Sequence, residues 1–172
     1  MRRVLILGAG TAGTMLANRL ADQLDEGWTI TIVDRDDDHH YQPGYLFIPF
    51  GTATAKRITK RRSRFLPSRV AFVRSGISRV RPDENEVDLD DGQILGYDWL
   101  LIATGTVPRP DLTPGMGDGS LWYRKVFDFY TMAGAVALPQ WAPALSDTLV
   151  GTAPKAYWYL SRASAMASFV LT

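Results

Sequence analysis

The stretch VLILGAGTAGTMLANRL, residues 4–20, places three glycines between an apolar run and a helical pattern. Residues 4–7 are aliphatic throughout, as in a strand that is buried on both faces of a parallel sheet. Apolar residues then recur at helical spacing up to Leu24, and Gly27 ends the pattern as a C-terminal cap would. A second apolar, β-branched run follows at residues 28–33. The pattern predicts a strand-helix-strand unit with a right-handed parallel crossover.

The three glycines, Gly8, Gly10 and Gly13, form G-x-G-x-x-G at the junction of strand and helix, where this pattern is specific for dinucleotides. Gly8 permits the tight turn, Gly10 lets the backbone approach a pyrophosphate, and Gly13 lets the helix pack closely on the strand. The helix N-terminus favours the pyrophosphate charge. Asp34, at the end of the second strand, can accept from both ribose hydroxyls and repels a 2′-phosphate, which disfavours NADP. FAD and NAD both remain open, as does a ligand-free turn with Asp34 as a cap.

Composition limits the classes of function. The 172 residues suffice for one compact core, and 19 basic residues against 18 acidic ones give no overall field that would select nucleic acid. No cysteine is present, which excludes disulfides, thiolate metal sites and redox dithiols within this chain. His39 and His40 are adjacent and therefore point apart, and no third ligand is suitably spaced, so we predict no metal site.

The N-terminal apolar run is too short for a signal peptide, and no apolar window is long enough to span a membrane. We therefore expect a cytoplasmic protein. The basic run KRITKRRSR, residues 56–64, is interpreted as a solvated helix face. Contact of this run with anionic lipid on the inner face of the cell membrane is the alternative. Nucleic-acid binding is disfavoured, because no aromatic stacking platform accompanies the charges.

The middle of the chain alternates short apolar runs with turn signals. Residues 70–73 and 77–80 are predicted strands, and a small antiparallel meander is predicted to extend to Ile94. Residues 99–103 form another buried strand pattern that ends in Thr104 and Gly105.

Three other segments have patterns of their own. Residues 41–51, YQPGYLFIPFG, suit a packed loop, because they contain two prolines and two glycines. Residues 127–138 are predicted to form a helix. Residues 139–172 show poor periodicity and clustered Trp and Tyr.

The stretch YDWLLIATGTVPRP, residues 97–110, is a strand pattern that ends in Ala-Thr-Gly after a meander. It resembles the second flavin signature of flavoproteins with two dinucleotide-binding domains, which include type II NADH dehydrogenases, disulfide reductases and sulfide:quinone oxidoreductases. The resemblance implies that Thr104 and Gly105 lie near the glycine loop beside the FAD phosphates, and that the backbone at Ile77 meets the adenine. Together with the glycine loop, it favours FAD.

Two further stretches narrow the resemblance. DRDDDHHYQPGYLFIPFG, residues 34–51, and FDFYTMAGAVAL, residues 127–138, are similar to bacterial sulfide:quinone oxidoreductases and flavocytochrome sulfide dehydrogenases. The likeness runs from about residue 3 to residue 138. It implies that Tyr41, Gln42, Pro43 and Gly44 line the isoalloxazine ring. Most of the apolar side chains that follow, at residues 45–50, are expected to fill a core.

The candidates for holding FAD are Gly8, Gly10, Gly13, Asp34, Arg35, Tyr41, Gln42, Pro43, Ile77, Thr104 and Gly105. No catalytic residue is predicted, because sulfide oxidation in the resembled enzymes uses cysteines and this chain has none. Their second nucleotide-binding domain and C-terminal quinone and membrane helices also have no counterpart here.

We therefore expect an incomplete α/β, Rossmann-like FAD-binding domain over residues 1–138, with a parallel sheet, helices and an inserted antiparallel meander. Residues 139–172 are expected to form an irregular tail, which we hypothesise comes from a frameshifted or truncated reading frame. The expected function is that of the FAD-binding portion of an oxidoreductase that transfers electrons from sulfide to quinone. An NADH:quinone reductase-type flavoprotein is one alternative, and a non-catalytic nucleotide-binding module or inactive fragment is another.

Overall fold

The computed structural model describes residues 1–138, 157–160 and 167–170. The strands in chain order are β1 (Arg2–Leu7), β2 (Trp28–Asp34), β3 (Asp38–His40), β4 (Thr59–Arg61), β5 (Val70–Arg74), β6 (Ile77–Arg81), β7 (Glu86–Leu89), β8 (Ile94–Gly96), β9 (Trp99–Ile102), β10 (Val126–Asp128), β11 (Tyr157–Leu160) and β12 (Ala167–Val170). The α-helices are α1 (Thr11–Gln23), α2 (Ala55–Ile58) and α3 (Met132–Ala137). Short 3₁₀ helices lie at Gln42–Phe47, Arg62–Phe65, Pro82–Glu84 and Pro110–Leu112.

The chain divides into two compact units. The first contains Met1–His40 and Lys60–Thr106, and the second contains Tyr41–Thr59 and the chain from Val107 onward. The predicted domain boundary at residue 138 stays a prediction.

A parallel sheet with the order β5-β2-β1-β9 forms the centre of the first unit. Because side chains alternate across a strand, β1 contributes Val4 and Ile6 to one face and Leu5 and Leu7 to the other. Helix α1 covers the first face with small residues such as Ala17. Burial on both faces explains the continuous apolar run of β1 and confirms the predicted Rossmann-like α/β fold.

The predicted meander is also confirmed, as an antiparallel sheet of β6, β7 and β8. Its apolar side chains, Val87 and Leu89 among them, pack on the second face of the parallel sheet. On β6, Arg81 forms ion pairs of 2.7 Å with Glu86 and 2.8 Å with Asp88. The meander therefore stands where a helix would cover the sheet in a doubly wound fold.

The sequence pattern predicted that Gly27 caps the C-terminus of α1, and this prediction is wrong. Leu24 ends the helix in an extended conformation. The Arg69 guanidinium donates to the carbonyls of Ala21 at 2.8 Å, Leu24 at 2.7 Å and Asp25 at 2.9 Å. This cap comes from a residue 45 positions beyond Leu24, which explains why a local pattern missed it.

In the second unit, the predicted loop at residues 41–51 is partly regular, because Gln42–Phe47 forms a 3₁₀ helix. Tyr45 and Ile48 from this segment pack with Ile58 of α2 and Ala135 of α3. Gly44 fits here because a Cβ at this position would lie 2.7 Å from the Ile58 side chain.

The helix predicted over residues 127–138 is wrong in its first part. Residues Val126–Asp128 form β10, and α3 begins only at Met132. The fully buried Asp128 carboxylate accepts from the Thr131 amide at 2.6 Å, and the Thr131 hydroxyl in turn accepts from the Gly134 amide at 2.9 Å. This side-chain relay ends the strand and caps the helix.

The basic run at residues 56–64 was predicted to form one helix face, and this prediction is wrong. It passes from α2 through β4, which pairs with β3, into the 3₁₀ helix Arg62–Phe65. Most of its charged side chains are exposed, but the Arg62 side chain is only 11% exposed. The part of this run from Lys60 onward belongs to the first unit, where Arg62 and Ser63 contact the acidic stretch at residues 36–38.

The predicted irregular tail lies mostly outside the described residues. Within it, β11 pairs antiparallel with β12, and β12 pairs with β10. The origin of the tail stays a hypothesis. Of the helices in residues 1–138, none has the length and apolar content that crossing a bilayer requires.

We expect Arg69→Ala to destabilise the protein by about 1–2 kcal/mol, because three carbonyl groups near the end of α1 lose a charged donor. Arg74→Ala, at an exposed position of β5 that makes none of these contacts, serves as the matched control. Urea unfolding followed by circular dichroism measures both changes. Equal stability of the two variants would show that the cap contributes nothing.

Candidate dinucleotide-binding site

The glycine loop is built on two backbone approaches that exclude any side chain. Gly8 has φ +95°, and a Cβ there would lie 2.4 Å from the Ala103 carbonyl oxygen and 2.8 Å from the Thr104 Cα. A Cβ at Gly13 would lie 1.8 Å from the Gly8 carbonyl oxygen. The structure therefore requires glycine at both positions, and it brings the turn after β9 against the loop after β1. Gly105, in that turn, has φ +73°.

Gly10 differs from the other two glycines because no atom of the described residues lies within 4 Å of where its Cβ would be. It is the N-cap of α1, with φ −71°. In the part of the chain that the structure describes, no side chain caps this helix, and its first turn contains no acid. The first N–H groups of a helix have no partner within the helix. The open space beside Gly10 thus offers uncompensated donors and the positive end of the helix dipole to an anion.

The Ala9 peptide, between Gly8 and Gly10, is held from both sides. Its N–H donates to Asp34 Oδ2 at 2.7 Å. Its carbonyl accepts from Arg62 Nη1 at 2.6 Å and from the Thr14 hydroxyl at 3.1 Å. Arg62 was not among the residues expected at this site, since its partners lie far away in sequence.

Asp34 lies where the strand pattern predicted it, at the end of β2, with its side chain 14% exposed. Its Oδ1 is 3.4 Å from Arg62 Nη2. A carboxylate offers about four acceptor positions, and these two contacts leave room for others. The donors at Gly10 and this acceptor fit a diphosphate and a ribose diol, respectively.

Two other candidates of the first unit have different surroundings. Arg35 is 83% exposed and forms a long ion pair of 3.8 Å with Asp36. Ile77 opens β6, and its side chain packs on the second face of the sheet. Their predicted roles beside a nucleotide stay predictions.

The remaining candidates, Tyr41, Gln42 and Pro43, belong to the second unit. Tyr41 is 62% exposed, and its N–H donates to the Ile58 carbonyl at 2.9 Å. The Gln42 amide donates to the Tyr130 carbonyl at 3.0 Å. This bond joins the YQPG and FDFYT pieces, which lie 88 residues apart in sequence. Their proposed place along a flavin ring is likewise untested.

His39 adds a titratable group near the glycine loop. Its ring lies 5.0 Å from that of Phe65, and its buried Nδ1 has no hydrogen-bond partner among the residues that the structure describes. Burial lowers the pKa of His39 below 6.5, because it disfavours the charged form, and the Arg62 cation lowers it further. The Ala9 carbonyl acts in the opposite direction.

A lowered pKa means that the unfolded chain binds the His39 proton more readily than the folded one. The stabilisation by neutral His39 is thus present above about pH 6.5 and declines as the pH falls below that value. We expect His39→Gln to reduce the loss of melting temperature between pH 7 and pH 5. His40→Gln is the matched control, and an unchanged pH dependence in His39→Gln would contradict the assignment.

Comparisons with known proteins place this site in a family. The model described as pyridine nucleotide-disulphide oxidoreductase matches residues 2–140. The mitochondrial sulfide:quinone oxidoreductase of Dictyostelium discoideum is 29% identical over 60% of this chain and 23% of its own length. The epsilon subunit of the NADH-dependent phenylglyoxylate dehydrogenase of Aromatoleum evansii is 31% identical over 87% of this chain and 36% of its own.

A solved structure has the same fold. The sulfide:quinone oxidoreductase of Aquifex aeolicus superposes with a TM-score of 0.66 at 19% identity, over 88% of this chain and 33% of that one. The present chain thus spans between about a quarter and a third of the lengths of these proteins. The family match over residues 2–140 contains the glycine loop, Asp34 and the turn after β9. The chain belongs to the pyridine nucleotide-disulphide oxidoreductase family.

Proposed function

We propose that this chain is the FAD-binding portion of a flavin-dependent oxidoreductase. The observation that carries the proposal is the contact of Gly8 with Ala103 and Thr104. This contact brings the glycine loop together with the Ala-Thr-Gly turn, the two pieces whose combination favours FAD over NAD in the sequence.

In this proposal, the N–H groups of Gly10 and the first turn of α1 bind the pyrophosphate. Asp34 accepts from the hydroxyls of the adenosine ribose. Thr104 and Gly105 lie beside the phosphates, Arg35 and Ile77 lie towards the adenosine, and Tyr41, Gln42 and Pro43 line the ring. Bound FAD supplies the redox chemistry, while the protein positions it and excludes water.

We further propose that the whole protein transfers electrons from sulfide to a quinone. The name of the Dictyostelium relative supports this choice, as do the YQPG and FDFYT pieces. This chain has no cysteine for sulfur chemistry, so the proposal assigns it flavin binding and not sulfide oxidation. Contact of residues 56–64 with a membrane that carries the quinone belongs to the same proposal.

One observation favours NADH as the donor instead. The phenylglyoxylate dehydrogenase subunit, which matches 87% of this chain, belongs to an enzyme whose name states that it depends on NADH. Asp34 suits a nucleotide without a 2′-phosphate in either case. Anaerobic addition of sulfide or NADH to the whole flavoprotein that contains this portion distinguishes the two donors, by which of them bleaches the flavin absorption.

The visible spectrum of the purified full chain tests flavin binding directly. We expect the yellow flavin absorption in the protein as isolated or after addition of FAD, together with a rise in melting temperature when FAD is added. A colourless protein that FAD does not stabilise would contradict the proposal.

Gly10→Ala should separate binding from folding. Gly10 has an ordinary φ and open space around it, so we expect the variant to fold, with the loss of about 0.5–1 kcal/mol that alanine causes in place of glycine at an N-cap. The added methyl group should weaken FAD binding roughly tenfold by disturbing charge-assisted hydrogen bonds to the pyrophosphate. Fluorescence titration with FAD measures the affinity. Gly13→Ala, whose Cβ would overlap the Gly8 carbonyl, is expected to disrupt folding itself. Unchanged FAD affinity in Gly10→Ala would exclude close approach of a phosphate there.

A further inference from the structure

The Arg62 side chain contacts three residues at or near the glycine loop: Ala9, Asp34 and Asp36. Its guanidinium reaches the Ala9 carbonyl at 2.6 Å, Asp34 Oδ1 at 3.4 Å and Asp36 Oδ1 at 3.2 Å. Its Nε also donates to the Asp36 carbonyl at 3.2 Å. A planar guanidinium can hold several acceptors in fixed directions, which an ammonium cannot.

Arg62 is itself held in place by backbone contacts. Its N–H donates to the Asp37 carbonyl at 2.7 Å. The Asp37 carboxylate accepts from the Ser63 N–H at 3.0 Å, from the Ser63 hydroxyl at 3.2 Å and from Arg61 Nε at 2.9 Å. The Ser63 amide is the largest cause that lowers the pKa of Asp37, and so keeps this anchor ionised. The acidic turn and the basic segment therefore fix the Arg62 side chain at the loop.

The contacts of Arg62 determine the orientation of the Asp34 carboxylate. Its Oδ2 is engaged by the Ala9 N–H, and Arg62 lies between its Oδ1 and the Asp36 carboxylate. Without this cation, two carboxylates would face each other in a half-buried place, and Asp34 would lose the group that fixes the plane of its carboxylate. The acceptor positions left for a ligand would then no longer have a defined direction.

We propose that Arg62 is a positioning residue for the adenosine ribose: it holds the Asp34 carboxylate and the Ala9 peptide so that the site distinguishes a ribose from a 2′-deoxyribose. This inference rests on the proposed function. Arg62 acts through Asp34 and the loop, and it touches no reacting atom.

Binding of ADP and 2′-deoxy-ADP to the full chain, measured by calorimetry, tests the inference. We expect wild type to prefer ADP roughly tenfold, because Asp34 accepts from the 2′-hydroxyl in a charge-assisted hydrogen bond. In Arg62→Gln the preference should fall to within about twofold, as it should in Asp34→Ala. The double variant should lose no further preference, since both changes remove one interaction.

The preference for the 2′-hydroxyl separates positioning from a purely structural role. General loosening of the fold would weaken both nucleotides alike and would leave their ratio unchanged. Arg64→Gln is the matched control, because Arg64 is an exposed arginine of the same 3₁₀ helix as Arg62. It should keep the wild-type preference, and loss of the preference in this control would overturn the inference.

Circular dichroism establishes that each variant is folded before titration. Should Arg62→Gln not fold, Arg62→Lys carries the same test, because one ammonium cannot reach all the acceptors and the preference should fall to roughly threefold. Wild-type preference in either folded Arg62 variant overturns the inference while the proposed function stands. Failure of wild type to bind FAD and ADP overturns the proposed function, and the inference with it.

Discussion

Gly8 and the turn after β9 approach so closely that no side chain fits between them, and the rest of the first unit is arranged around this approach. The Gly8 N–H continues the ladder to the Val33 carbonyl at 2.8 Å, and the Ala103 N–H continues it to the Leu7 carbonyl at 2.7 Å. The loop is thus an extension of the sheet on both sides. Because interiors are closely packed and strongly resist displacement, the position of α1 follows from this approach and from the contact of Gly13.

The charged side chains next to the glycine loop contact its backbone and one another. Asp34, Asp36 and Arg62 form a compact cluster of two acids and one base. Ion pairs at a protein surface contribute little to the free energy of unfolding. Because the Arg62 side chain is only 11% exposed, however, this cluster holds its three side chains in fixed directions. In the proposed role, recognition of a neutral ribose diol depends on these fixed directions more than on net charge.

The sheet, α1 and the meander could be predicted because their signals are local: aliphatic runs, helical spacing and turn residues. The cap of α1, the start of α3 and the burial of Arg62 could not be predicted in this way. Arg69 reaches α1 from beyond β2, and Asp128 ends β10 inside a pattern that looks helical. In the sequence, Arg62 is one of several neighbouring basic residues. What distinguishes it is that its acceptors lie more than 20 positions away along the chain, where a local pattern cannot reveal them. Of the candidate site, the glycines and Asp34 follow from the motif, whereas the groups that hold them follow from tertiary structure.

The pairing of β1 with β9 also orders events in time. A ribosome releases the glycine loop first and the turn that completes it about a hundred residues later, after α1, β2, β5 and the meander have emerged. Closing so long a loop is slow compared with forming the local strand-helix-strand unit. In a nascent chain, the glycine loop therefore lacks the backbone that Gly8 packs against until residues 99–104 leave the exit tunnel. A chain interrupted before that point cannot complete the loop.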